Sequence, residues 1–255
     1  MTERNQTLAA GSPASSHWHV HWRFFEIVAG ICILFVVLTT SAMLLYPGGT
    51  FPIRATHRYK FFINYFSDLG QTRTQSGAIN LLSMALFTIA VVSVGVGLFL
   101  FFRALSTFFK MRATAPQALR LNRLATRFGN ASAVCFIGLA LVPENLFAAG
   151  HFLFVQGAFD FLLVAVILTI RALRRTPDVS AWLTAVNMAF VVVLFSYLPL
   201  LAFGPSSKTL LGDEINAVGQ KVIVYVAIAT IFAQALIVRA QVSRRALAAA
   251  SVRAE

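Results

Sequence analysis

Six titratable or nucleophilic side chains stand at the polar interruptions of an otherwise apolar chain. They are His57, Ser67, Asp68, Glu144, His151 and Lys221. Two histidines and two carboxylates are enough to ligate zinc. A serine beside a histidine is the usual start of an activated nucleophile. The same groups could also form a structural latch, or a polar pocket for a lipid headgroup, through hydrogen bonds and charge pairs alone.

The spacing of these residues favours the latch or pocket. No two of the metal-ligand candidates stand four residues apart, and neither a G-x-S-x-G nor an H-E-x-x-H motif is present. Cys32 and Cys135 both fall within apolar runs, without a Cys-x-x-Cys spacing, and are interpreted as small core residues. The sequence therefore predicts no metal and no cofactor. A hydrolase that uses Ser67 with His57 or His151 stays open as an alternative.

The composition indicates a membrane protein. The chain has 255 residues, of which 58% are apolar and 12% are charged, and its mean hydropathy is +0.76. A soluble domain is normally about 25% charged. The 21 basic residues outnumber the 9 acidic ones, but they stand between apolar runs instead of on one soluble face. That distribution follows the positive-inside rule and excludes nucleic acid as a partner.

Six apolar runs are long enough to cross a bilayer, which requires about 20 residues as a helix. They cover 24–45, 77–102, 128–147, 151–172, 181–202 and 219–240. The first is too long for the apolar region of a signal peptide, roughly 7–15 residues. The predicted fold is an all-α, single transmembrane domain over 24–240. A disordered N-terminal tail over 1–23 and a C-terminal tail over 241–255 flank it.

The basic residues predict the orientation of these helices. Fifteen of the 21 lie on the side that holds both termini. The six on the other side are Arg54, Arg58, Lys60, Arg73, Lys208 and Lys221. The bias places both termini in the cytoplasm. We expect a multi-pass protein of the cell membrane, the inner membrane in a Gram-negative cell.

This orientation places the first long loop, 46–75, outside. Phe61, Phe62, Tyr65 and Phe66 have helical spacing there, which predicts a short amphipathic helix on the membrane surface, with Gly70 as its C-terminal cap. The basic loop 103–127 on the other side is interpreted as a topology signal that also extends the third helix inward.

Polar side chains gather in the outer halves of the predicted helices, beneath the loop that carries Ser67 and Asp68. Asp160 is the deepest, nine residues after His151 and so about 13.5 Å further into the bilayer. A carboxylate at that depth costs at least about 2.5–3.5 kcal/mol, so it must face the bundle. Gln156, four residues earlier, shares its face. Asp160 either makes a structural hydrogen bond or lines a cavity.

Three short motifs carry a resemblance to a known family. They are Ser67-Asp68-Leu69-Gly70, Pro143-Glu144 and the His151 that opens the fourth helix. Over about 24–240 the chain resembles the bacterial and archaeal membrane family called domain of unknown function 998. It is also similar in plan to Frag/DRAM-type six-helix membrane proteins, some of which are tied to lipid remodelling. The resemblance implies six helices and supports the location of the site, and it implies no activity.

The sequence thus favours a non-enzymatic membrane protein with an outward-facing polar pocket that binds, senses or organises a lipid or another amphiphile. Its expected partners are membrane lipids. The first alternative is an intramembrane hydrolase or transferase that uses Ser67, His57 or His151 with Asp68 and Glu144. The second is a small-molecule transporter, for which internal repeats would be expected; none is evident between 24–102 and 128–240.

Overall fold

The computed structural model describes the backbone of residues 13–112, 115–205 and 209–254, and the side chains of 23–112, 115–205 and 209–244. This part of the chain forms six α-helices and no β-strand. The helices are α1 (Pro13–Leu45), α2 (Leu81–Arg112), α3 (Pro116–Leu141), α4 (Ala148–Leu173), α5 (Ala181–Phe203) and α6 (Leu210–Ala254). Each contains a stretch long and apolar enough to cross a membrane, which confirms the predicted all-α, multi-pass architecture.

The six helices form a closed ring. Each helix packs against the next one in sequence, and α6 packs against α1. We call the end of the ring that carries the segments 46–80 and 142–147 the loop end. There Thr72 N donates to Asn145 Oδ1 at 3.0 Å. At the opposite end, the tail end, Glu26 pairs with Arg239 at 3.0 Å. At the loop end the connection between α1 and α2 contacts the connection between α3 and α4, and at the tail end the start of α1 contacts α6. The helices therefore alternate in direction along the ring.

The helices extend further than the predicted spans at the tail end. The segment 103–127, expected to be a loop, is almost entirely helical, since α2 continues to Arg112 and α3 begins at Pro116. Proline suits the first turn of a helix because its missing N–H has no intrahelical partner there. The predicted extension of the third helix is therefore present. Parts of both predicted tails are helical too, from Pro13 and up to Ala254, while residues 1–12 and 255 lie outside the described residues.

The predicted amphipathic helix over 61–66 is not formed. Residues 61–63 make a turn, and a 3₁₀ helix follows at Ser67–Gly70. Phe61 and Phe62 are exposed, whereas Phe66 is buried and stacks on Phe35 of α1 with ring centroids 5.9 Å apart. The segment therefore enters the helix bundle at Phe66. A helix lying on the membrane surface could not bury this ring against α1.

Gly70 has a different function from the cap that its sequence position suggests. The glycines with positive φ in the described residues are Gly48, Gly49 and Gly77. Gly70 ends the 3₁₀ helix instead, where an added Cβ would lie 2.8 Å from Cδ1 of Phe87. The position requires a small residue because the ring of Phe87 packs directly against its backbone.

The interior of the ring is largely apolar, and a buried amide pair lies toward the tail end. Asn187 of α5 donates from Nδ2 to Gln234 Oε1 of α6 at 2.9 Å and to its own helix at Leu183 O at 2.7 Å. Both amide side chains are buried. A hydrogen bond of this kind satisfies groups that are costly to leave unpaired in an apolar interior, and it ties α5 to α6.

Candidate functional site

Two buried asparagines hold the segment 46–80 in place at the loop end. Asn64 donates from Nδ2 to Gly49 O at 2.9 Å, and its Oδ1 accepts from Lys60 N at 2.8 Å. Asn80 donates from Nδ2 to three carbonyl oxygens, those of Gln71 at 2.9 Å, Leu69 at 3.1 Å and Asp68 at 3.4 Å. An amide offers donors and an acceptor together, so these two side chains organise a long, mostly irregular segment around the 3₁₀ helix Ser67–Gly70.

Asp68 ties the loop to itself. Its Oδ2 accepts from Asn64 Nδ2 at 2.8 Å and from Tyr65 N at 2.9 Å, and its Oδ1 accepts from Gln71 Nε2 at 3.1 Å. Burial raises the pKa of the Asp68 carboxyl group from 3.8 to about 7; the bonds from Asn64 and Tyr65 oppose that rise, and the nearby carboxyl group of Glu144 adds to it. Asp68 is thus a buried group that is partly protonated near neutral pH.

Ser67 makes the contact that crosses to another element. Its hydroxyl group donates to Glu144 Oε2 at 3.1 Å, which joins the loop to the connection between α3 and α4. Next to it, Phe66 N donates to Gln220 Oε1 of α6 at 2.6 Å. The two adjacent residues therefore attach the 3₁₀ helix to both sides of the loop end.

Lys221 is fully buried beside the same loop. Its Nζ donates to Asn64 O and, at 3.1 Å, to Ala217 O of its own helix. The ammonium group lies 5.5 Å from the ring centroid of Tyr59 and 5.3 Å from that of Phe61, within cation–π range. Lys221 therefore stabilises the loop through a main-chain carbonyl group and two aromatic rings.

His151 presents a free acceptor. Its Nδ1 lies 2.7 Å from Val142 O, and because a carbonyl oxygen only accepts, Nδ1 is the protonated nitrogen in this contact. Nε2 is buried and has no hydrogen-bond partner among the described residues. The side chain is 6% exposed. In the neutral ring, Nε2 is then an acceptor whose partner is still to be supplied.

A cavity of about 510 Å³ opens at the loop end between α4, α5 and α6. We call it the mouth. Its lining is mixed. It includes the polar side chains of Ser67, Asp68, Gln75, Glu144, His151, Asn216 and Gln220 and the aromatic rings of Phe51, Tyr65, Phe152 and Tyr197. A mixed lining of this kind is typical of a site for a ligand that carries both polar and apolar parts.

A second cavity of about 60 Å³ leads from the mouth into the centre of the ring. We call it the slot. Apart from the residues at its entrance its walls are apolar, and they include Phe87, Phe159, Val224 and Ile228 from three helices. Four residues line both cavities: Ser67, His151, Val155 and Gln220. The mouth and the slot are therefore adjoining parts of one site, polar at its opening and apolar at its depth.

The predicted site residues divide into two groups. Ser67, Asp68, Glu144 and His151 all line the mouth, as expected from their clustering in the sequence. His57 is exposed and lines neither cavity. The ammonium group of Lys221 donates to the main-chain carbonyl oxygens of Asn64 and Ala217.

Asp160 also lies outside both cavities. Both of its carboxylate oxygens accept from Gln156 Nε2 at 3.0 Å, so these two residues share a helix face as predicted. The residue is half-buried, and it is not among those that line the mouth or the slot. The structural hydrogen bond, one of the two alternatives that the sequence left open, is the one observed.

The arrangement supports binding better than the two chemical alternatives. Within the described residues, no three His, Cys, Asp or Glu side chains come together in a way that could hold a metal ion. The Ser67 hydroxyl group donates a hydrogen bond to Glu144, and His151 Nε2 makes no hydrogen bond in the described part of the chain. The serine–histidine pair on which a hydrolase depends is therefore not formed.

Sequence reasoning places Asn80 and Tyr197 among the polar side chains at the outer half of the bundle, but it does not predict that Asn64 and Asn80 hold the loop or that aromatic rings line the mouth. Asn64 lies in the N-Y-F-S-D-L-G segment, and Asn80 stands directly before α2. An amide flanked by apolar residues is a signal for a buried hydrogen-bonding group, and it could have identified both. No sequence signal marks Phe152 as a lining residue among so many aromatic side chains.

Comparison with family models, with curated proteins and with solved structures gives no match to this chain. The resemblance to the domain of unknown function 998 family therefore stays a prediction, and the function has to be argued from the geometry of the site.

Proposed function

We propose that this protein is an integral membrane protein that binds a lipid or another amphiphile in the joined mouth and slot. The observation that carries the proposal is the continuity of a cavity of mixed polar and aromatic lining with an apolar one, through Ser67, His151, Val155 and Gln220. An amphiphile has the same two parts in the same order. Its headgroup would contact the polar wall of the mouth, and its chain would enter the slot between the helices.

The size of the site supports a headgroup with a single chain. Ligand cavities in proteins commonly have volumes of roughly 300–1,000 Å³, and the mouth, at about 510 Å³, lies within that range. The slot is far smaller, at about 60 Å³. Most of the room is therefore at the polar end, which favours a ligand with a sizeable or hydrated head and one narrow apolar tail.

The proposed orientation places the mouth on the outer side of the cell membrane and both termini in the cytoplasm. Its support is the charge bias, since fifteen of the 21 basic residues belong to the tail end or to the terminal segments next to it. Under the positive-inside rule, that end is cytoplasmic. The site would then take its ligand from the outer leaflet or from the outer surface.

The experiment compares two variants with the same substitution. Val155→Phe adds an aromatic ring where the mouth meets the slot, while Val192→Phe adds it on α5, at a position 66% exposed on the outside of the ring. Wild type and variants in nanodiscs are irradiated with single-chain lipids that carry a photoreactive diazirine in the chain, and labelled peptides are identified by mass spectrometry.

We expect label at the buried slot-lining residues Phe159 and Leu162 of α4, located by fragmentation of the labelled peptide, in the wild type and in Val192→Phe, and its loss in Val155→Phe. Labelling that is confined to the outer surface of the ring in the wild type, or that is unchanged in Val155→Phe, would show that no amphiphile enters the site. Retention of surface labelling in all three proteins is the internal control for folding.

A further inference from the structure

The charge of the mouth is opposite to that of the chain as a whole. The protein has a formal net charge of +12, yet the mouth contains the carboxyl groups of Asp68 and Glu144, and none of its described lining residues is Lys or Arg. The closest buried cation, Lys221, is directed to loop carbonyl groups. Among the described residues, the basic excess of the sequence therefore does not line this cavity.

Two hydrogen-bond acceptors on residues that line the mouth have unused capacity. His151 Nε2 is buried without a partner in the described part of the chain, and Nδ1 is held as the donor by Val142 O. Glu144 accepts one bond there, from Ser67, whereas a carboxylate has room for about four. A ligand that donates hydrogen bonds can satisfy Glu144 and His151 Nε2, whereas an acceptor facing these two groups would leave them unsatisfied.

Aromatic rings complete the environment. Phe51, Tyr65, Phe152 and Tyr197 all line the mouth. Aromatic faces attract cations and have no comparable attraction for anions. A phosphate or sulfate head would meet Glu144 with no described basic side chain of the lining to compensate, and like charges at close range repel strongly in a site of low dielectric constant.

We propose that the preferred ligand is a cationic amphiphile, a long-chain amine whose protonated head carries N–H donors. This inference rests on the function proposed above and specifies the class of ligand. The ammonium group is placed between Glu144 and His151 Nε2, and its three N–H groups match the free acceptors there. The alkyl chain passes Val155 and enters the slot.

The experiment uses four probes with the same diazirine-bearing decyl chain: the primary amine, the trimethylammonium salt, the sulfate and the uncharged alcohol. The protein is embedded in phosphatidylcholine nanodiscs at pH 7. Labelling of the slot-lining residues Phe159 and Leu162 within 148–162 is divided by labelling around Val192, so that partition of each probe into the bilayer cancels. A charge-assisted hydrogen bond is expected to favour the amine by about tenfold or more over the alcohol and the sulfate.

Glu144→Gln should reduce the labelling by the amine to that by the alcohol while leaving alcohol labelling intact, which shows that the site is still folded. Glu214→Gln is the matched control. Glu214 lies near the start of α6, at the loop end of the ring, and lines neither cavity. This variant should keep the preference for the amine.

The outcomes separate the two proposals. Equal labelling by amine and alcohol in the wild type, or stronger labelling by the sulfate, would overturn the cationic ligand and leave the amphiphile site standing. Equal labelling by the amine and the trimethylammonium probe would overturn the assignment of His151 Nε2 as an acceptor for the head. If none of the four probes labels Phe159 or Leu162, the proposed function itself fails. The comparison in the wild type decides the matter even if Glu144→Gln does not fold.

Discussion

Replacement of Asp68 by Asn tests how the loop accommodates a buried carboxyl group. Asparagine has the same shape, and its Oδ1 can accept from Asn64 Nδ2 and Tyr65 N as the carboxylate does. Its amide group then faces Gln71, whose Oε1 is buried and has no hydrogen-bond partner among the described residues. Rotation of the Gln71 amide supplies the acceptor. The variant should therefore fold with every hydrogen bond of this residue preserved.

The magnitude follows from the pKa of Asp68, which is about 7 in the folded protein against its ordinary value of 3.8. Because the pKa is raised on folding, the folded state holds a proton that the unfolded state has released. The resulting stability is fully present below about pH 3.8 and is lost as the pH rises through about 7. Each pH unit in this interval changes the free energy of unfolding by about 1.4 kcal/mol, so the change from pH 5 to pH 8 is about 3 kcal/mol.

The assay is thermal unfolding of the wild type and Asp68→Asn in a neutral detergent between pH 5 and pH 8. For a protein of this size, about 3 kcal/mol corresponds to a difference in Tm of roughly 6–12 °C. We expect the Tm of the variant to rise relative to that of the wild type by this amount over the interval. Glu26→Gln, which alters an exposed ion pair, should show no such trend.

A difference in Tm that stays constant from pH 5 to pH 8 would refute the reasoning, since it would mean that Asp68 binds no extra proton on folding. A difference that falls with pH would show that the ionised carboxylate is the stabilising form, held by the three donors around it.

Two further substitutions test the packing of the loop. Asn80→Ala should lower the free energy of unfolding by about 1–3 kcal/mol, because Gln71 O loses the donor that binds it at 2.9 Å; chemical denaturation measures the loss, and an unchanged stability would show that this carbonyl group is solvated. Gly70→Ala should cost about 1–3 kcal/mol through overpacking against Phe87, whereas Gly30→Ala, with nothing within 4 Å, should stabilise α1 by up to about 1 kcal/mol. Similar effects of the two glycine substitutions would contradict this account of Gly70.

The membrane-spanning part of the fold was predictable because the hydrophobic length of a helix is a direct consequence of bilayer thickness. All six predicted spans correspond to helices. Their ends were less predictable. At the tail end, helix propensity continues α2 to Arg112 and starts α3 at Pro116 beyond the apolar core. At the loop end, α3 stops at Leu141, short of the predicted 147, and α6 starts at Leu210, ahead of the predicted 219. Hydropathy reports burial in lipid and carries no information about where a helix stops in water.

The loop shows where periodicity is insufficient. The aromatic spacing of 61–66 is compatible with a helix on the surface, but it does not tell whether Phe66 lies on that surface or inside the bundle. The structure buries Phe66 among Phe35, Phe87 and Tyr225. Long-range contacts of this kind depend on the path of 46–80 as a whole, which hydrogen bonds between distant residues determine.

The site was predictable as a location and only partly as a set of contacts. Ser67, Glu144 and His151 were expected near one another, and they line one cavity. The different roles of Ser67 and Asp68 were not predictable, because adjacent residues of a 3₁₀ helix point about 120° apart. One therefore reaches Glu144 and the other turns back to the loop. The sequence alone does not show this local conformation.

The most direct test of the amphiphile site is a cryo-EM map of the protein in nanodiscs with saturating decylamine. The account predicts continuous density that begins between Glu144 and His151 and passes Val155 into the slot. A map in which the mouth and the slot are empty or hold only water, with decylamine confined to the outer surface of the helix ring, would contradict it.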